Sequence, residues 1–153
     1  MANNNPDVII TMTVGVPKLL ADDLAKRWPE RVKDYVVLTD TLGDNDDVPG
    51  DTSTFDTKTI SKATIAWKAQ SLDGNTSIQI SAINPFVFSD PTKEFFSSNP
   101  KETSDGSAMW IATAAEVDTD AVFTFEYSIY FYVNNDSETI YKLDPKLQIR
   151  RKV

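Results

Sequence analysis

The sequence predicts an all-β fold, a two-sheet antiparallel β-sandwich of immunoglobulin-like type, with one short helix near residues 18–28. Three observations carry that reading. Apolar and polar residues alternate with period two through much of the chain, as strands with one buried face require. The strands follow one another in an order that offers no βαβ unit, which points to sheets packed on sheets. The 153 residues suit one β-sandwich domain over 1–153, with no linker, repeat or low-complexity segment to divide it.

Val8, Ile10, Met12, Val14 and Val16 alternate with Ile9, Thr11, Thr13 and Gly15, which predicts a first strand with its even positions inward. Pro17 ends it and can open a helix. Leu20, Leu24 and Trp28 are spaced by four and share one face of the helix expected over 18–28, which Pro29 stops. Residues 34–39 are rich in β-formers and read as a second strand. Ala63, Ile65, Trp67 and Ala69 face one way in the next strand, with Trp67 as a core anchor. Asp73-Gly74 then supplies a tight turn, because glycine accepts the positive φ such turns need. Residues 62–70 and 77–83 are therefore expected to pair as an antiparallel hairpin.

Phe95 and Phe96 fall in a long polar connection from Pro91 to Ser107 and read as pinned on the edge of the core. Trp110, Ala112 and Ala114 share one face of a further strand. The longest alternation follows, with Phe123, Phe125, Tyr127, Ile129, Phe131 and Val133 forming a fully apolar face. Asn134-Asn135-Asp136 is a turn, and a last strand after Asp144-Pro145 points Leu147 and Ile149 inward.

Composition narrows the function. The hydrophobic fraction of 41 % and charged fraction of 25 % are those of a globular protein. A formal net charge of -8 repels phosphate backbones and anionic lipids, so neither nucleic acid nor a membrane is expected as partner. The start of the chain has no basic region and only a short apolar run, so no signal peptide and a cytoplasmic location are expected. There is no Cys and no His. That removes disulfides, thiolate nucleophiles, imidazole bases and the usual zinc ligands. The five Gly are scattered and form no phosphate-binding loop. No enzyme activity, catalytic residue or cofactor is expected.

A few residues bear on sites. Asp44, Asp46 and Asp47 lie in a polar stretch over 40–54 and are the candidates for a metal ion, calcium by their chemistry. They fail the EF-hand template, since Val48 falls on a ligand position and no Gly takes the sixth place. A solvated loop is the plainer reading. Glu126 sits mid-strand among aromatics; buried, it would be an isolated carboxylate, and exposed, it would pair with a neighbouring Lys. Lys142, Lys146, Arg150, Arg151 and Lys152 form the one basic cluster, which reads first as a solvated strand end and, in the other reading, would touch an acidic partner such as another copy of the chain. The polar stretches 40–54 and 91–107 would, in an alternative reading, carry a lectin-like site for a glycan or small ligand.

Several segments, in order, resemble the PixA/AidA family of bacterial inclusion-body proteins. The opening Asp7-Val8-Ile9-Ile10-Thr11-Met12-Thr13-Val14 with Leu19-Leu20-Ala21 is similar to that family's first strand and following segment. Thr64-Ile65-Ala66-Trp67 with Ser71 is similar to a family strand, with Ala63-Thr64 in place of Gly-Asp. Met109-Trp110-Ile111-Ala112-Thr113, Phe123-Thr124-Phe125-Glu126-Tyr127 and Leu143-Asp144-Pro145-Lys146-Leu147-Gln148-Ile149 resemble its closing strands, with Leu143 for a Trp and Lys146 for a Phe. The resemblance implies a non-enzymatic, self-associating bacterial protein, growth-phase or stress related, present as a homo-oligomer or in inclusions. The family's best-known member is methionine-rich. With 3 Met, this chain is not expected to store methionine.

Overall fold

The computed structural model describes residues 6–41, 56–88, 95–103, 109–117 and 122–150. In chain order the elements are β1 (Val8–Val14), α1 (Val16–Ala21), α2 (Pro29–Val32), a 3-10 turn (Lys33–Tyr35), β2 (Val36–Asp40), β3 (Asp56–Ile60) and β4 (Thr64–Ser71). They continue with β5 (Ile78–Phe88), β6 (Phe96–Glu102), β7 (Trp110–Ala114), β8 (Phe123–Val133), β9 (Tyr141–Leu143) and β10 (Lys146–Arg150). One sheet runs β2-β1-β4-β7-β6, the other β3-β10-β8-β5, with β9 also paired to β8.

The alternation seen in the sequence becomes the core. Val8, Ile10, Met12 and Val14 of β1 are buried, as are Ile65 and Trp67 of β4 and Ala112 and Ala114 of β7. From the second sheet come Tyr127, Ile129, Phe131 and Val133 of β8, with Leu147 and Ile149 of β10. Between the sheets the Trp67 Nε1–H donates to the Tyr127 hydroxyl at 3.1 Å. The Trp67 ring meets Tyr127 and Phe96 edge-on, with centroids 5.8 and 6.4 Å apart. Phe95 and Phe96 are both buried, as expected of residues pinned on the core. The Phe125 side chain lies outside the described residues.

Besides β6 (Phe96–Glu102), a strand paired to β7 where the sequence suggests a long polar connection, three features differ from the sequence reading. First, the sheets are mixed rather than antiparallel: β1 pairs β4 in parallel, Val8 opposite Ile65 through Val14 opposite Ser71, and β10 pairs β3 in parallel. Period-two patterning specifies which face is buried, not the direction of the neighbouring strand.

Second, 62–70 and 77–83 do not form a hairpin. β4 lies between β1 and β7, while β5 pairs β8 in the other sheet. Gly74 does take a positive φ of 73°. The turn around it is wider than a hairpin turn. Ser71 Oγ donates to Asp73 Oδ1 at 2.7 Å and accepts the Thr76 N–H at 3.2 Å, and Asp73 Oδ1 also accepts the Asn75 N–H. The Leu72 N–H is taken by the Val14 carbonyl at 2.8 Å, which holds the turn on the first sheet until the chain crosses.

Third, the helix expected over 18–28 is only Val16–Ala21, followed by turns. Asp22 takes an extended backbone, and its side chain accepts the Leu24 N–H at 3.1 Å. A short acidic side chain that bonds the backbone locally competes with helix continuation. The buried residues here are Leu19 and Ala25; Leu20, Leu24 and Trp28, the apolar row of the expected helix, are about half exposed at 46 %, 46 % and 51 %.

Candidate functional site

Three connections meet at one end of the sandwich. Residues 15–35 join β1 to β2, 72–77 join β4 to β5, and 134–140 join β8 to β9. The registers Val14–Val36, Val14–Ser71 and Ile78–Val133 put all three at the same height, and α2 packs against β9 across the two sheets. Leu20, Leu24, Trp28, Leu72 and Ile140 are exposed on these connections, and Val37, 50 % exposed, lies on β2 beside them. Among the described residues only Ile60 and Val122 are large exposed hydrophobics elsewhere. Single exposed apolar residues are ordinary; contiguous apolar patches are the ones that mark interaction sites.

The 15–35 excursion is held in place by polar contacts. The Gly15 N–H donates to the Tyr35 carbonyl at 2.8 Å. Asp22, with a side chain 8 % exposed, is the hub. Its Oδ2 accepts the Tyr35 hydroxyl at 2.7 Å and Arg31 Nε at 2.9 Å, and it forms an ion pair with the Arg31 terminal nitrogen at 2.8 Å. Lys18, Ala21 and Asp23 complete the wall of an open depression of about 400 Å³ around this hub.

The Tyr35 hydroxyl first, and Arg31 second, hold the Asp22 carboxyl below its ordinary value. A depressed folded value stabilises the fold above the unfolded pKa, and that contribution is lost as pH falls through the folded one. The excursion is therefore expected to stay closed through the ordinary carboxylate range, near pH ~4, and to loosen only below it. The amide signals of Leu24 and Tyr35, followed in an acid titration, check this. Asp22→Asn should loosen them already at neutral pH, and an unchanged titration in that variant would remove Asp22 from the role.

The residues singled out from sequence fall differently. Asp44, Asp46 and Asp47 lie outside the described residues, as does most of 40–54; of 91–107, only 95–103 are described. Among the described residues no group of three or more acidic side chains could hold a metal ion. Glu126 is half-buried and stands opposite Lys146 in the β8–β10 ladder, the arrangement of a cross-strand charge pair. Lys142 is engaged within its own sheet, 6.0 Å from the Tyr130 ring centroid and 3.7 Å from Asp144 Oδ1. Arg151, Lys152 and the Arg150 side chain lie outside the described residues. The apolar end was missed because the spacing of Leu20, Leu24 and Trp28 reads equally well as a face turned inward.

A family model described as Domain of unknown function (DUF8788) matches residues 7–139. Among solved structures the chain is similar to the crystal structure of an inclusion body protein, PixA, from Burkholderia cenocepacia J2315. The two share 8 % identity with a TM-score of 0.59, over 99 % of each chain. At that identity the likeness is one of fold, and it bears out at that level the resemblance carried by the strand motifs. No curated protein matches the chain.

Proposed function

The chain belongs to the DUF8788 family and has a PixA-type fold, and from these facts and its apolar end we propose that it is a non-enzymatic, self-associating protein of the inclusion-body type. The observation that carries the reading is the grouping of Leu20, Leu24, Trp28 and Val37 at one end, beside a sheet edge. Among the described residues β2 pairs only with β1, so it stands at a sheet edge, where a second copy could add a strand. Neither His nor Cys is present in the chain, and Glu126 stands opposite a lysine, which leaves assembly ahead of catalysis. The role fits a cytoplasmic protein whose abundance follows growth phase or stress.

Sedimentation velocity across a concentration range tests the association. The wild-type mass should rise with concentration. Trp28→Glu combined with Val37→Lys should weaken association by roughly tenfold or more, as loss of a buried aromatic anchor does at interfaces. A strict monomer at high concentration would overturn the proposal, as would a double variant that associates like wild type. Immunoblots across growth phases test the abundance.

A further inference from the structure

A second, smaller hollow of about 200 Å³ opens between α1 and the β8–β9 turn, lined by Leu20, Val133, Asn134, Asp136, Thr139 and Tyr141. One of its polar side chains is buried. Tyr141 is 4 % exposed, its ring stacked on Phe131 with centroids 5.5 Å apart, yet its hydroxyl has no hydrogen-bond partner among the described residues. Buried hydroxyls are nearly always satisfied, so an orphan beside a cavity asks for a partner that occupies the cavity. Among the described residues the Thr139 hydroxyl, half-buried, and the Asn134 amide, exposed, also have no side-chain hydrogen bond. The turn backbone, by contrast, is bonded: the Asn134 N–H donates to the Ser77 carbonyl, the Asp136 N–H to the Val133 carbonyl, the Thr139 N–H to the Asp136 carbonyl, and the Glu138 N–H to Asp136 Oδ1. Positive φ values at Asn134 and Asn135, 55° and 60°, belong to this same turn.

We propose that this hollow binds one small, neutral, polyhydroxylated molecule, a single sugar ring or a polyol. Tyr141, Thr139 and Asn134 offer hydroxyl and amide groups that both donate and accept, the pattern that vicinal hydroxyls match. Leu20 and Val133 supply the apolar wall against which C–H faces pack. The Asp136 carboxylate has Oδ2 to accept a further hydroxyl, and its charge disfavours an anion. Burial first, and the Asp136 charge second, push the Tyr141 phenol above its ordinary value, so it stays protonated and able to donate at neutral pH. At about 200 Å³ the hollow has room for one sugar ring or a short polyol. The site lies on a different turn from the polar stretches 40–54 and 91–107, and it does not depend on self-association.

NMR titration of the full chain, kept dilute enough to be monomeric, tests the proposal. The probes are glucose, galactose, N-acetylglucosamine and sorbitol, with acetate and tetramethylammonium as charged controls. The expected result is saturable shifts at Asn134, Thr139 and Tyr141 with at least one sugar or with sorbitol. Tyr141→Phe keeps the ring and should weaken that binding by roughly three- to tenfold, the worth of one hydrogen bond. No saturable shift with any hydroxylated probe, saturation by tetramethylammonium alone, or an affinity unchanged in Tyr141→Phe would each overturn the proposal. A chain that binds a sugar yet stays monomeric would leave this site standing while the assembly reading fell.

Discussion

Replacing Trp67 with alanine is expected to lower the stability of the fold by about 3–5 kcal/mol, the loss typical of a large aromatic removed from a close-packed core. Trp67 is 1 % exposed at the centre of β4. Ile10 of β1 lies beside it in register on one side and Trp110 of β7 on the other. Its ring touches Phe96 at the sheet edge and Tyr127 in the facing sheet, and its Nε1–H bonds the Tyr127 hydroxyl. Alanine removes ring packing toward both sheets and the side-chain bond from Trp67 of β4 to Tyr127 of β8. In a chain of this length each kcal/mol shifts the melting temperature by about 2–4 °C, so the variant should melt roughly 6–20 °C lower. Trp67→Phe separates the contributions, because it keeps most of the packing and loses the donor; about 1–2 kcal/mol is expected. Guanidinium denaturation reads both. A Trp67→Ala loss below about 1 kcal/mol would mean that the two sheets do not pack through this residue.

What the sequence disclosed, and what it did not, divides along a physical line. Burial was legible along the alternating apolar rows: the even positions of β1, Trp67 in β4 and Tyr127, Ile129, Phe131 and Val133 in β8 are where alternation put them, while Ala66 and Ser128 on the opposite faces are buried as well. Pairing was not legible. The partner of β1 on its parallel side begins at Thr64, more than fifty residues on, and nothing in either strand encodes the other's direction. The Ser71–Asp73 turn looked like a hairpin because Asp-Gly is common in hairpins. Its side-chain bonds to Asn75 and Thr76 are a tertiary choice that the dipeptide does not reveal. The Leu20–Leu24–Trp28 row shows the converse failure. Helical spacing was present, but Asp22 prefers its bonds to Leu24, Arg31 and Tyr35 over another helical turn, and the row ended up outside. Candidate sites suffered most. The acidic stretch drew notice by its composition, whereas the Tyr141 hollow is made of one orphan hydroxyl and a turn, which only three-dimensional contacts expose.

Phe131 and Tyr141 face each other across β8 and β9, stacked at 5.5 Å, and only one of two substitutions in this pair should cost stability. Phe131 is fully buried, with Ile80 of β5 beside it on the other side of β8. Phe131→Ala would open a cavity between β5 and β9 and remove the stacking partner, for an expected loss of about 3–5 kcal/mol. Tyr141→Phe changes one atom group. In an ordinary core tyrosine it would break a hydrogen bond and cost about 1 kcal/mol. Here the hydroxyl has no partner among the described residues, so the folded state carries its desolvation penalty without return. Its removal is expected to be neutral or to stabilise by up to about 1 kcal/mol. Equilibrium denaturation of the two variants at neutral pH, in buffer free of sugars and polyols, makes the comparison. A Tyr141→Phe variant destabilised by more than about 1 kcal/mol would show that the hydroxyl is satisfied inside the folded chain, and would leave the hollow beside it without the group on which ligand binding rests.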